Sequence, residues 1–172
     1  GFWKEVDESS MLLLKLACAP ATSPPPFDVV VYGSTPAGIS AAVAAGHLGM
    51  RVALYEPLPM IGGMGAAGNL ALNDGGMPAE RTGLAYNFSL LNGEHYGLPQ
   101  GEEVPHPESF VAEATFYKML AAAKVTHVKL DCRLLSAQRA IAADGASKVG
   151  NIHVACEPQP IVAKVFIDAS YD

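Results

Sequence analysis

The chain has 172 residues, half of them hydrophobic and only 16% charged, with a formal net charge of −6. That length and apolar share suit one globular domain with a sizeable core and fall short of two full ones. The acidic balance, with no basic run anywhere, excludes nucleic acid and an anionic membrane surface as expected partners.

In chain order, residues 1–26 read as a poorly ordered leader ending in the Pro24-Pro25-Pro26 stiffener. Within it, Met11 to Ala21 has the apolar run and small-residue end of a signal-peptide core. Glu5, Asp7 and Glu8 stand where a positive region is required, and the run is too short to span a bilayer. No transmembrane segment is expected. If the protein is secreted, Asn87-Phe88-Ser89 is a glycosylation acceptor.

Phe27 to Tyr32 is a β-branched run between proline and glycine, as expected of a strand buried on both faces of a parallel sheet. The turn Gly33-Ser34-Thr35-Pro36-Ala37-Gly38 follows, then an Ala-rich helix to Leu48 with Ile39, Ala42, Val43 and Gly46 on one side. Pro36 suits the first helical position, and Gly49 suits a left-handed helix end. Arg51 to Glu56 is a second strand, completing a βαβ unit.

From Pro57 to about Pro105 periodicity is lost, and the segment reads as a long irregular stretch. Ser109 to Ala123 returns to a helix with Phe110, Ala114, Tyr117 and Leu120-Ala121 on one face. Val125 to Leu135 reads as a third strand leading to more β structure around Val149–Cys156, and Lys164 to Asp168 as a last buried-type strand.

Cys18, Cys132 and Cys156 lie far apart, with no CxxC and no His-rich spacing. They are expected as free thiols, which slightly favours a cytoplasmic location. His47, His95, His106, His127 and His153 show no metal-ligand spacing and read as surface or loop histidines. Glu102, Glu103 and Glu108 read as a solvated loop face.

The glycine turn carries the chemistry. A dinucleotide's pyrophosphate needs backbone N–H donors at a helix N-terminus with no bulky side chain in the way. Gly33 makes the tight turn out of the strand, and Gly38 lets helix and strand pack closely. Thr35 replaces the middle glycine of the usual G-x-G-x-x-G, and its hydroxyl is a candidate phosphate donor. Glu56 lies 18 residues beyond Gly38, near the spacing of roughly 20 at which an acid bonds the adenosine ribose. An acid there disfavours a 2′-phosphate. Gly62-Gly63 brings a second stretch of backbone close, which suits the longer reach of FAD.

The segment DVVVYGSTPAGISAAVAAGHLGMRVALYEPLPMIGGMG resembles the N-terminal motif of FAD-dependent oxidoreductases of the glutathione-reductase-like fold. The likeness runs from Phe27 to Asp172 and is densest over 27–68. It implies an α/β fold: a Rossmann-type parallel sheet of the FAD/NAD(P)-binding kind with a small β meander. On this reading 27–172 is the N-terminal part of an incomplete FAD-binding domain.

By the same resemblance Gly33, Thr35, Pro36, Ala37 and Gly38 hold the pyrophosphate and Glu56 the ribose. Pro57, Gly62, Gly63 and Met64 follow the cofactor path, and Leu134 offers backbone groups to the adenine. Asp168, in VFIDAS, belongs to a later flavin motif, in which Tyr171 stands where glycine is common. Asn73 and Asp74 are candidates for shaping the flavin pocket. The implied activity is hydride transfer through flavin N5, with substrate and catalytic residues unread. The alternatives are an NAD-binding Rossmann protein, which Gly62-Gly63 opposes, and a truncated fragment that catalyses nothing.

Overall fold

A computed structural model describes residues 27–68, 82–141 and 144–171. The leader 1–26, with Cys18, and the segment containing Asn73 and Asp74 lie outside these residues. Ten elements follow in order: β1 (Phe27–Tyr32), α1 (Pro36–His47), β2 (Val52–Tyr55), a 3₁₀ turn (Gly63–Gly65), α2 (Gly83–His95) and α3 (Ser109–Ala122). Then come β3 (His127–Lys129), β4 (Leu134–Ile141), β5 (Ser147–Val154) and β6 (Ala163–Asp168).

Four strands form one sheet in the order β3-β2-β1-β6, and every pair in it is parallel. The pleat sends alternate side chains to opposite faces. Val29, Val31, Val52 and Leu54 pack on the helices, where they join Ile39, Val43, Phe116 and Leu120. Val30, Ala53 and Tyr55 face the other way, onto Cys132, Ile152, Val154 and Ile161. The result is three layers: helices, parallel sheet, and the antiparallel β4–β5 pair. The expected meander is this two-stranded pair with one further bridge, from Ile152 to Ile161.

Local chemistry sets the βαβ unit. Pro36 occupies the first turn of α1, and Thr35 caps it, its hydroxyl accepting the Gly38 N–H at 3.2 Å. At the other end Gly49 is left-handed, at φ 76°. Gly49 N–H bonds Gly46 O at 2.9 Å, and Met50 N–H bonds Ala45 O at 3.1 Å. These two bonds are the Schellman pattern, which a left-handed glycine makes cheap.

Four expectations are corrected. The stretch read as irregular contains α2, whose inward face is Phe88, Ser89, Asn92 and Gly93. Such a face carries little apolar periodicity. It is stabilised by polar pairing instead, with Thr115 Oγ1 donating to Asn92 Oδ1 at 2.7 Å and Asn92 Nδ2 to Val104 O at 3.0 Å.

Secondly, α3 buries Val111, Ala112, Thr115, Phe116, Met119 and Leu120, sharing only Leu120 with the expected face. Phe110 is 67% exposed. The helix is apolar over much of its circumference, so its buried side was set by the elements it meets, α1 with the sheet core and α2, which periodicity does not reveal.

Thirdly, Cys132 and Cys156 form a disulfide, with Cα atoms 5.0 Å apart. Their separation of 24 residues is closed by the β4–β5 hairpin, which brings its two ends together. Lastly, His127 is no loop residue. It lies half-buried on β3, with Nε2 2.9 Å from the Tyr55 hydroxyl and 3.5 Å from Glu157 Oε1. Burial lowers its pKa, outweighing the neighbouring carboxylate.

Candidate functional site

β1 has β2 on one side and β6 on the other, so successive connections leave it in opposite directions. In open α/β sheets a crevice opens at such a point, outside the carboxyl ends of the strands. A cavity of about 370 Å³ lies there. Gly33 and Thr35 come to it from the end of β1, and Glu56, Pro57 and Leu58 from the end of β2. Gly63, Met64, Ala67 and Gly68 come from the 3₁₀ turn and its exit, and Ser170 and Tyr171 from beyond β6.

Gly33 is left-handed at φ 92°, and a Cβ on it would sit 2.5 Å from Ser170 N. Only glycine lets β1 turn this close to the chain leaving β6. Gly38 packs its bare Cα against the Gly33 carbonyl, which is the close helix–strand approach expected of it. The Thr35 hydroxyl donates to Ala169 O at 2.9 Å while accepting from Gly38 N–H. Its hydrogen therefore goes to the chain just past β6 and not to a phosphate. Among the described residues no hydrogen bond takes up the N–H of Thr35 or of Ala37. Two backbone donors thus remain at the α1 N-terminus, where the helix dipole favours an anion.

Glu56 is buried, at 5% exposure. Its Oε2 accepts the Ser34 N–H at 2.6 Å and the Ser34 hydroxyl at 2.5 Å, and its Oε1 accepts the Leu58 N–H at 2.9 Å. A carboxylate has about four acceptor positions, so roughly one stays available on Glu56, which lines the cavity. The second glycine turn is tied to the first by Gly62 N–H donating to Ser34 O at 2.8 Å. Gly62 is left-handed at φ 95°, and a Cβ there would lie 2.6 Å from Ala66 Cβ and 2.9 Å from the Phe116 ring. Met64 N–H donates to the Tyr171 hydroxyl at 3.2 Å, and the Tyr171 ring lies over Gly63.

The cavity and the α1 N-terminus fit an adenosine diphosphate moiety: an anion-favouring helix end, side-chain-free glycines and a fixed carboxylate. A model of FAD dependent oxidoreductases matches residues 28–172. The chain belongs to that family. FAD is the family's cofactor by this description. The chain is also 38% identical over 82 residues to a dihydrolipoyl dehydrogenase of Trypanosoma brucei brucei, a match covering 46% of this chain and 16% of that protein.

Among solved structures, Thermovibrio ammonificans THI4 superposes with a TM-score of 0.59 at 20% identity, over 96% of this chain and 66% of that one. OTEMO in complex with FAD and NADP superposes with a TM-score of 0.52 at 18% identity, over 87% of this chain and 26% of that one. At these identities the likeness is one of fold. This FAD dependent oxidoreductase chain thus spans a small part of the dehydrogenase it matches.

Of the residues singled out by sequence, Gly33, Thr35, Glu56, Pro57, Gly63 and Met64 line the cavity. Pro36, Ala37, Gly38 and Gly62 are not among the lining residues; the first three form the first turn of α1, and Gly62 precedes the 3₁₀ turn. Leu134 is not among the lining residues, and its N–H is taken by the Tyr32 hydroxyl at 2.9 Å. Asp168 also lies outside the lining. It accepts from the Ser170 N–H at 3.0 Å and the Ser170 hydroxyl at 2.7 Å, and these bonds lower its pKa. It shapes the turn that delivers Ser170 and Tyr171.

Leu58, Ala67, Gly68 and Ser170 fall within the stretches that carry the resemblance, but no side-chain chemistry of theirs singles them out. Among the described residues no cluster of His, Cys, Asp and Glu could hold a metal, and no helix is long and apolar enough to cross a membrane.

Proposed function

We propose that this chain binds the adenosine and pyrophosphate portion of FAD in a flavin-dependent oxidoreductase. The observation that carries the reading is the convergence of the α1 N-terminus, the buried Glu56 carboxylate and the second glycine turn on one cavity. When bound, the flavin supplies hydride transfer through its N5 atom. The protein's own part is placement. Thr35 and Ala37 N–H groups face the pyrophosphate, the remaining Glu56 lone pair accepts a ribose hydroxyl, and Gly63 and Met64 border the path toward the ring. Burial of Glu56 sharpens this preference, since a 2′-phosphate next to a fixed carboxylate would be repelled.

The test is titration of the chain with FAD, read by quenching of flavin fluorescence, with AMP as competitor. Saturable quenching reversed by AMP is expected. Quenching that AMP leaves untouched would remove the adenosine assignment, and absence of quenching would remove the FAD reading for this chain.

A further inference from the structure

We infer that Asn87 is an N-glycosylation site and that the protein matures in an oxidising, secretory compartment. The chain contains a single Asn-X-Ser/Thr triplet, Asn87-Phe88-Ser89. In the folded protein Asn87 is exposed on the outer side of α2, while the next two residues, Phe88 and Ser89, are buried on its inward face. A glycan on Asn87 therefore projects into solvent and displaces nothing from the core. Phe88 stays stacked on Phe116 at 4.6 Å, and the Ser89 hydroxyl keeps its bond to Ala85 O at 3.1 Å.

The second, independent observation is the Cys132–Cys156 disulfide. Disulfides of this structural kind form in oxidising secretory compartments such as the endoplasmic reticulum lumen, where asparagine of this triplet is also glycosylated. Neither feature uses the cofactor cavity, so the inference stands apart from the FAD reading.

The reaction is a glycosyl transfer from a lipid-linked oligosaccharide diphosphate. The bond from the anomeric carbon to the diphosphate oxygen breaks, a bond from that carbon to Asn87 Nδ2 forms, and one amide proton is lost. Nothing is oxidised or reduced. The buried Ser89 hydroxyl, already bonded within the helix, is hidden from an enzyme once α2 has formed. Attachment must therefore precede folding of the α2–α3 pair.

The experiment uses protein isolated from its source cells, treated with peptide N-glycosidase in heavy-oxygen water and analysed by intact and peptide mass. A loss of mass with a labelled aspartate at position 87 is expected. Re-expressed Asn87→Gln and Ser89→Ala should show no such loss, and Ser89→Thr, which keeps the triplet, should retain it. Alkylation without reductant should leave Cys132 and Cys156 linked and unlabelled. An unmodified Asn87 in the isolated protein overturns the site. Labelled, unlinked Cys132 and Cys156 overturn the compartment.

Discussion

At the scale of single residues, Glu56 and Thr35 each serve the fold and the candidate site at once. Replacing Glu56 with Ala removes the acceptor of two backbone N–H groups, those of Ser34 and Leu58. An unsatisfied buried donor costs about 1–3 kcal/mol, so Glu56→Ala should lower stability measurably in urea. It should also weaken FAD binding roughly 10-fold, since one bond to a charged acceptor is worth about 1.5–3 kcal/mol. Glu56→Gln should cost stability too, because its amide NH₂ must face either Leu58 N–H or the Ser34 pair. Affinity unchanged in a folded Glu56→Ala protein would leave the ribose role without support.

Thr35→Ala removes an N-cap and a bond to Ala169 just past β6, which should cost about 1 kcal/mol or more. Thr35→Ser should recover most of it, since it keeps the hydroxyl that bonds Gly38 and Ala169. Equal unfolding midpoints for Ala and Thr at this position would contradict the capping geometry.

At the scale of elements, the parallel sheet is clasped at the start of β1 by Asp28. Its carboxylate meets Lys164 of β6 at 2.8 Å and the Arg51 N–H before β2 at 2.8 Å. The Lys164 bond, then the Arg51 backbone bond, lower its pKa from 3.8 to about 2. A carboxylate whose folded pKa is depressed contributes stability above its unfolded value and loses it as pH falls through the folded one. Between pH 3.8 and about 2 the wild-type protein should therefore lose stability more steeply than Asp28→Asn, measured by thermal unfolding at stepped pH. Parallel curves for the two would show that the clasp is screened away. His127 titrates with the same sign for a different reason. Its folded pKa is lowered by burial, so acidification below its ordinary value of 6.5 favours the unfolded chain.

At the scale of the whole molecule, the Cys132–Cys156 link closes the layer that covers the outer face of the sheet. Cys132 N–H donates to Glu56 O at 2.9 Å, and Asp131 N–H donates to Leu58 O at 3.1 Å. The base of the hairpin is therefore bonded to the loop that carries Glu56. Closing a loop of 24 residues stabilises by about 3 kcal/mol in the chain-entropy account. Cys156→Ser should lower the unfolding midpoint accordingly, and reductant should shift the wild type but not the variant. If reductant moves neither, the link contributes nothing to stability.

The βαβ unit was legible in sequence because its determinants are local. A β-branched run, Pro36 at a helix start, Gly49 at a helix end and the Gly33 and Gly38 spacing each dictate backbone geometry within a few residues. The same locality brought Gly33, Thr35, Glu56, Pro57, Gly63 and Met64 to one place, since a crossover between parallel neighbours sets the ends of β1 and β2 side by side. Tertiary structure decided what depends on distant partners. The buried face of α3 was set by what packs on it, α1 with the sheet core on one part and α2 on another, where Thr115 pairs with Asn92. The Thr35 hydroxyl was claimed by Ala169, 134 residues away. The cysteine pairing needed the β4–β5 hairpin to close a separation that, read along the chain, looked like two isolated thiols. Local sequence sets backbone angles, whereas burial and hydrogen-bond satisfaction are settled only when remote segments meet.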